Sequence, residues 1–420
     1  MNLIKLENGM RIATQQLDHT RSASIYFFIG CGSRYEDREI LGASHFIEHM
    51  LFRGTEKRSS KQLAEEMDFL GGQLNAFTTK EYTCLYAQVL KNHVATALDI
   101  MCDMLCNPLM SDNDIAIEKG VVLEEISMYE DSPEELCADL LCESVWNTDS
   151  LGFNILGTRN TVNDLNSKKL KNYMQNFYVP ERMTVAICGN FDENEAVDIL
   201  KHYFSKKQNT GNFIKPATPK FNQAITLKQR DFEQTHMILG FKGLPLGDKN
   251  KYAAAIFSAV TGGTSSSRLN RRIREELGLA YSVYTFITSY LGTGLFGIGA
   301  GINHSNQIKA MEEILKILEE LRNGISQEEL YRTKEQFKAV MVMGMESSSA
   351  LASAMGRGLL LENKYTDVDT MIKKIDEVTV EDIQNIACIL TDPSNMALTV
   401  VGRPEAEQIY SSMFCKYCHR

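Results

Sequence analysis

His45, Glu48 and His49 stand in the order His-x-x-Glu-His within Gly42-Ala43-Ser44-His45-Phe46-Ile47-Glu48-His49-Met50-Leu51-Phe52. Histidines four positions apart on a helix lie on one face, one turn apart, where a single ion can bridge them. Glu48 shares that face, and its carboxylate can take a proton from a water held by the ion. Phe46, Ile47, Met50 and Leu51 cover the rest of the circumference, which predicts a buried helix. Buried histidines need partners, and a metal ion is one. Two satisfied core histidines are the plainer reading of the same residues.

Catalytic zinc needs a third protein ligand and an open position. The segment Ile117 to Ile126 offers candidates. Glu118 and Glu125 are seven residues apart, two helical turns, and point the same way. Ile117, Val121, Val122 and Ile126 flank them. Glu125 can bind the metal while Glu118 orients a histidine ring from behind. Composition does not choose Glu125 over Glu124, and a solvated acidic face is the ordinary reading of such a pair.

These residues sit in a chain of 420 residues with 44% hydrophobic content, enough for two or more domains. A net charge of -10 argues against nucleic-acid binding. No run of about 18 apolar residues predicts a membrane span. The start, Met1 to Gly9, reads as a strand and a turn rather than a signal or transit peptide, so a cytoplasmic location is expected. The ten cysteines are then free thiols. Cys415-Lys416-Tyr417-Cys418-His419 has the spacing of a haem-attachment site, with a frayed tail as the plain reading.

An internal repeat organises the chain. Met183 to Asn190 is a strand-like segment ending in a glycine turn, and Met396 to Arg403 has the same form 213 residues later. Each precedes an acidic, helix-like stretch, Asp192 to Phe204 and Glu405 to Phe414. The pattern predicts two copies of one α+β domain: a catalytic domain over 1–204, a polar linker over 205–220 holding Gly211, Pro216 and Pro219, and a second domain over 221–420. Ser22 to Ile29 and His236 to Phe241 read as strands. Lys61 to Leu70, Val94 to Leu105 and Asn306 to Arg322 read as helices. The offset puts Ser258 where the first half has His45, so the chain is expected to carry one metal site.

The segments Gly42 to Thr55, Gly71 to Thr78, Glu118 to Glu125 and Ser267 to Val283 together resemble the pitrilysin/insulinase family of zinc peptidases, whose motif is the inverted His-x-x-Glu-His. The processing-peptidase branch is the most similar. The resemblance implies that His45, His49 and Glu125 bind one Zn2+, that Glu48 is the general base and that Glu118 supports it. Asn75, Ala76 and Phe77 would form an edge strand that pairs with extended peptide. Arg274 and Tyr281 would stand near the substrate carbonyl; a surface arginine and a core tyrosine are their plain reading. The implied activity is hydrolysis of internal bonds in short or unfolded peptides. In this family four such domains enclose a chamber, so a chain of two resembles half of a clamshell. A dimer follows, either a homodimer or a heterodimer with an inactive partner, with Arg274 and Tyr281 serving the partner's zinc. Family members that act only as non-catalytic partners supply the alternative function.

Overall fold

The computed structural model describes residues 1–209 and 216–418. Part of the expected linker, 210–215, and His419 of the Cys-x-x-Cys-His segment lie outside them. The chain divides into two units of mixed helix and strand.

The first unit is built on a six-stranded sheet in the order β1-β2-β6-β3-β5-β4. Its strands are β1 (Asn2–Lys5), β2 (Arg11–Gln16), β3 (Ser22–Ile29), β4 (Gln73–Thr78), β5 (Thr83–Leu90) and β6 (Met183–Gly189). Only β2 and β6 pair in parallel. On one face lie α1 (Ala43–Leu51), α2 (Ser60–Leu70), α3 (Val94–Cys106) and α4 (Asp112–Asp131). Strand β3 shows why a continuous apolar run belongs here rather than a strict alternation. Ile25, Phe27 and Ile29 enter the core beneath α1 and α3. Tyr26 and Phe28 meet Ala352, Met355 and Leu359 on the other face. A strand covered on both sides has no wet face.

The second unit repeats the plan with five strands: β7 (Ala224–Gln229), β8 (Thr235–Lys242), β9 (Ala280–Tyr290), β10 (Thr293–Ile302) and β11 (Met396–Gly402), in the order β7-β11-β8-β10-β9. Again one pair is parallel, β7 with β11. Both glycines expected to end a strand have positive φ, 133° at Gly189 and 127° at Gly402. A Cβ on Gly189 would lie 2.5 Å from the Cα of Ala23, and one on Gly402 would lie 3.0 Å from that of Thr235. The same tight turn has been kept in both copies.

The units are not the two contiguous halves expected from the repeat. The first comprises 1–126, 153–216 and 344–366; the second comprises 127–152, 217–343 and 367–420. Two helices have changed places. The helix Ser348–Glu362 packs on β3 and β6, whereas α5 (Pro133–Val145) packs on β8 and β11. In the second unit Ile238 of β8 joins Cys137, Leu141 and Val145 of α5. A repeat in sequence marks which strands correspond, but it carries no sign of which sheet a helix covers. Among the described residues no helix is long and apolar enough to cross a membrane.

Gly356 lets the exchanged helix approach its sheet. A Cβ there would stand 2.5 Å from the ring of Phe28 and 3.2 Å from the Cβ of Ala186. On an open helix Gly→Ala would gain about 1 kcal/mol. Here the overlap reverses the sign, and Gly356→Ala is expected to lower stability by about 1–2 kcal/mol. A higher urea midpoint for the variant would refute this.

Candidate metal centre

The helix α1 forms where the sequence places it, and Phe46, Ile47, Met50 and Leu51 are fully buried on its inner side. Its remaining face carries His45, Glu48 and His49. The long helix α4 crosses this face and presents Glu118 and Glu125. Glu124, which composition could not separate from Glu125, is exposed.

His45 Nε2 and His49 Nε2 are 3.2 Å apart. A Glu125 carboxylate oxygen is 3.5 Å from the first and 3.6 Å from the second. Ligand bonds of 2.0–2.1 Å in a tetrahedral site separate the donors by roughly 3.4 Å. The three atoms therefore have the spacing that zinc demands, and they form the only group of this kind among the described residues.

Hydrogen bonds aim the donors. His49 Nδ1 is 2.7 Å from a Glu118 oxygen, which places the ring proton on Nδ1 and turns the lone pair of Nε2 towards Glu125. The Arg53 guanidinium holds the other Glu118 oxygen. Burial drives His45 down to about 3, helped by the neighbouring His49, so this ring is neutral and able to ligate. Burial also lowers His49, but the hydrogen bond and charge of Glu118 outweigh it and leave the ring raised. Burial raises Glu118 as well, yet its bonds to His49 and Arg53 hold it below the usual carboxylate range. Burial raises Glu125.

Glu48 points towards β4. The Thr78 hydroxyl donates to its Oε2 at 2.6 Å, and burial lifts its pKa, a direction that suits a proton acceptor. Asn75, Ala76 and Phe77 lie on this same strand, which is the edge of the first sheet. Asn75 is exposed, Ala76 is buried and Phe77 is half-buried. An edge strand offers backbone donors and acceptors to an extended chain.

Arg274 and Tyr281 belong to the second unit. The guanidinium carbon lies 6.0 Å from the ring centroid. They do not share a helix: Arg274 is on a wide helical turn, Asn270–Glu276, and Tyr281 is on β9 after Gly278, whose φ is 58°. Tyr281 is 76% exposed, so the core-tyrosine reading does not hold. In that unit the helix Lys251–Ser258 borders a largely apolar cavity of about 500 Å³, with Ser258, Thr285, Ile287, Phe337 and Val340 in its wall. Among the described residues no disulfide joins the cysteines, and Cys415 and Cys418 are exposed on the helix Glu407–Cys418.

Sequence reasoning passed over three residues that shape this centre: Arg53, Thr78 and Glu36. Arg53 follows His49 by four positions, a helical spacing that could have marked it. Thr78 is one residue beyond Phe77 on β4. Glu36 caps α1, and the want of a capping side chain at Gly42 was its signal.

A paired histidine helix, an orienting carboxylate and a glutamate from a second helix are the arrangement of the inverted-motif class of metallopeptidases. Residues 11–159 match the family described as Insulinase (Peptidase family M16), and residues 164–337 match the Peptidase M16 inactive domain. The chain belongs to this peptidase family. It is 39% identical to a Bacillus subtilis protein described as the uncharacterized zinc protease YmxG, over 91% of this chain and 93% of that one. A Streptomyces coelicolor protein, also described as an uncharacterized zinc protease, is 35% identical over 91% of this chain and 85% of its own length. The fold matches a crystal structure of a protease from Helicobacter pylori with a TM-score of 0.90 at 20% identity, covering 96% of this chain and 99% of that one. It also matches a Pseudomonas fluorescens structure described as a peptidase M16 inactive domain, with a TM-score of 0.88 at 18% identity, covering 96% and 98%.

Metal affinity should rank the acidic residues. Glu118→Gln is expected to weaken zinc binding about 10- to 100-fold, as loss of an orienting partner does. Glu125→Gln should cost more, and Glu124→Gln nothing. Zinc retained after dialysis, measured by mass spectrometry, checks the order; equal losses at Glu124 and Glu125 would remove Glu125 from the ligand set.

Proposed function

We propose that the chain is a zinc-dependent endopeptidase that hydrolyses internal bonds of short or unfolded peptides. The observation that carries this reading is the convergence of His45, His49 and Glu125 at ligand spacing, with Glu48 on the same face and oriented by Thr78. The zinc protease descriptions of the relatives support it. One Zn2+ per chain follows, since His45, His49 and Glu125 are the one candidate set among the described residues.

The ion, when bound, supplies Lewis acidity to a water and to the scissile carbonyl. The chain's own residues do the rest. Glu48 accepts the proton of the attacking water and returns it to the leaving amine. Thr78 keeps the accepting carboxylate turned towards the site. Glu118 fixes the His49 tautomer and is itself neutralised by Arg53. Asn75, Ala76 and Phe77 bind peptide by strand addition, which selects extended chains with little regard to sequence. Arg274 and Tyr281 stabilise the oxyanion or orient the peptide. We assign them to the partner's zinc in a dimer, in line with the family resemblance. A homodimer supplies both halves from one sequence.

Incubation of the pure protein with a mixture of unstructured peptides, with and without a zinc chelator, tests this by mass spectrometry. Chelator-sensitive internal cleavage is expected. Glu48→Gln should keep its zinc and lose turnover by about 10²- to 10⁴-fold. Zinc uptake without any cleavage by the wild-type protein would favour a non-catalytic or partner-dependent subunit, and near-normal rates for Glu48→Gln would remove Glu48 as the base.

A further inference from the structure

We propose that Glu36 is a positioning residue for the metal centre: its buried carboxylate anchors the N-terminus of α1 and so sets where His45 and His49 meet Glu125. The inference deepens the zinc reading above and rests on it.

The helix begins without a capping side chain. Its N-cap is Gly42, with φ 88°, and no side chain there accepts from the first turn. Glycine is required at this position. A Cβ on Gly42 would lie 2.5 Å from the carbonyl oxygen of Leu156, and one on Gly157 would lie 2.3 Å from that of Leu41. Two glycine turns thus pass back to back, and neither leaves room for Ser, Thr, Asp or Asn. The missing acceptor comes from six residues upstream. Gly42 N–H donates to Glu36 Oε2 and Ser44 N–H to Oε1, each at 2.7 Å. Both oxygens are engaged, so the group is held in rotation as well as distance. A negative charge at this end also suits the helix dipole.

Ser44 immediately precedes His45, so the anchor acts one residue from the centre. The Ser44 hydroxyl is 2.8 Å from that of Tyr173. A functional constellation must be held within about 0.5 Å and 10–20° to work. Glu36 fixes one end of α1, and Glu118 fixes His49 near the other.

The surroundings are costly for a merely structural cap. Arg34, Glu36, Lys80 and Glu81 are all buried, with 2%, 3%, 7% and 3% exposure. Arg34 pairs with Glu81, and Lys80 donates to the carbonyl of Phe153. Lys80 also acts by its charge on Glu36. Buried charges are poor sources of stability compared with apolar packing of the same volume. Their use here is explained by the precision they impose on the loops around α1. Burial pushes Glu36 up to about 7, while its bonds to Ser44 and Gly42 oppose the shift.

Glu36→Gln tests the assignment. The amide keeps the shape but replaces one acceptor oxygen with a donor that faces an N–H. Zinc affinity of the full chain is read by competition with a chromophoric chelator at about pH 8, where the wild-type carboxyl is ionised. Gly356→Ala is the control for general destabilisation, since it acts on the opposite face of the sheet. Zinc binding weakened at least about tenfold in Glu36→Gln, but within about twofold of wild type in Gly356→Ala, is the expected result. At saturating zinc, kcat should fall with KM little changed. Equal zinc affinity in Glu36→Gln and wild type would overturn the proposal, whatever the variant's melting temperature. Amide exchange in the wild-type protein covers a variant that does not fold or a chain that takes up no zinc. Slow exchange at Gly42 and Ser44 upholds the anchor, and exchange as fast as in an open loop overturns it. Loss of peptide hydrolysis with these zinc results intact would count against the peptidase reading alone.

Discussion

Two imidazole nitrogens and a carboxylate oxygen stand 3.2–3.6 Å apart, and with both Nε2 atoms deprotonated all three would turn lone pairs to one point. Such a grouping is unfavourable by itself, and a cation turns it into a favourable one. The rest of the first unit answers to that demand. The buried side of α1 keeps the histidines from rotating away. The two-turn spacing on α4 lets one glutamate face the donors while the other grips a histidine from behind. Thr78 belongs to the edge strand, so the accepting carboxylate and the strand proposed to hold peptide are set by one element.

Much of this was legible in the residues. The helix α1, its buried side and the pairing of Glu118 with Glu125 follow from side-chain spacing. The 213-residue repeat marked β6 and β11, and the apolar runs marked β3 and β8. These features are local, and local periodicity records them. Choosing Glu125 over Glu124 needed to know which side of α4 is covered, a property of packing. Arg53 escaped because its partner Glu118 is distant in sequence, and Glu36 because it reaches Gly42 and Ser44 back across an irregular loop that no periodicity describes. The Arg274 and Tyr281 pair lies on different elements, joined by a left-handed glycine, and no helical spacing could describe it.

The repeat also shows how one plan can serve two ends. Both sheets use one parallel pair and the same glycine-ended strand. The first unit has a helix with two histidines and a glutamate beside its edge strand β4. In the second unit a helix ending at Ser258 stands beside β9, and the adjoining space is largely apolar. Conserved architecture therefore did not require conserved chemistry. The strand geometry comes from backbone pairing and tight glycine turns, whereas the candidate metal centre depends on a few side chains.

The traded helices bear on how the chain can be divided. The segment containing α5 follows the long helix of the first copy but completes the second sheet, and the segment containing Ser348–Glu362 does the reverse. Each unit therefore draws one covering helix from the other half of the sequence. Neither half of the gene encodes a complete core, so a cut at the 205–220 junction would strip both sheets of the helix that covers one face. Splitting or recombining the sequence there would break the fold, although the repeat itself makes that point look like a natural seam.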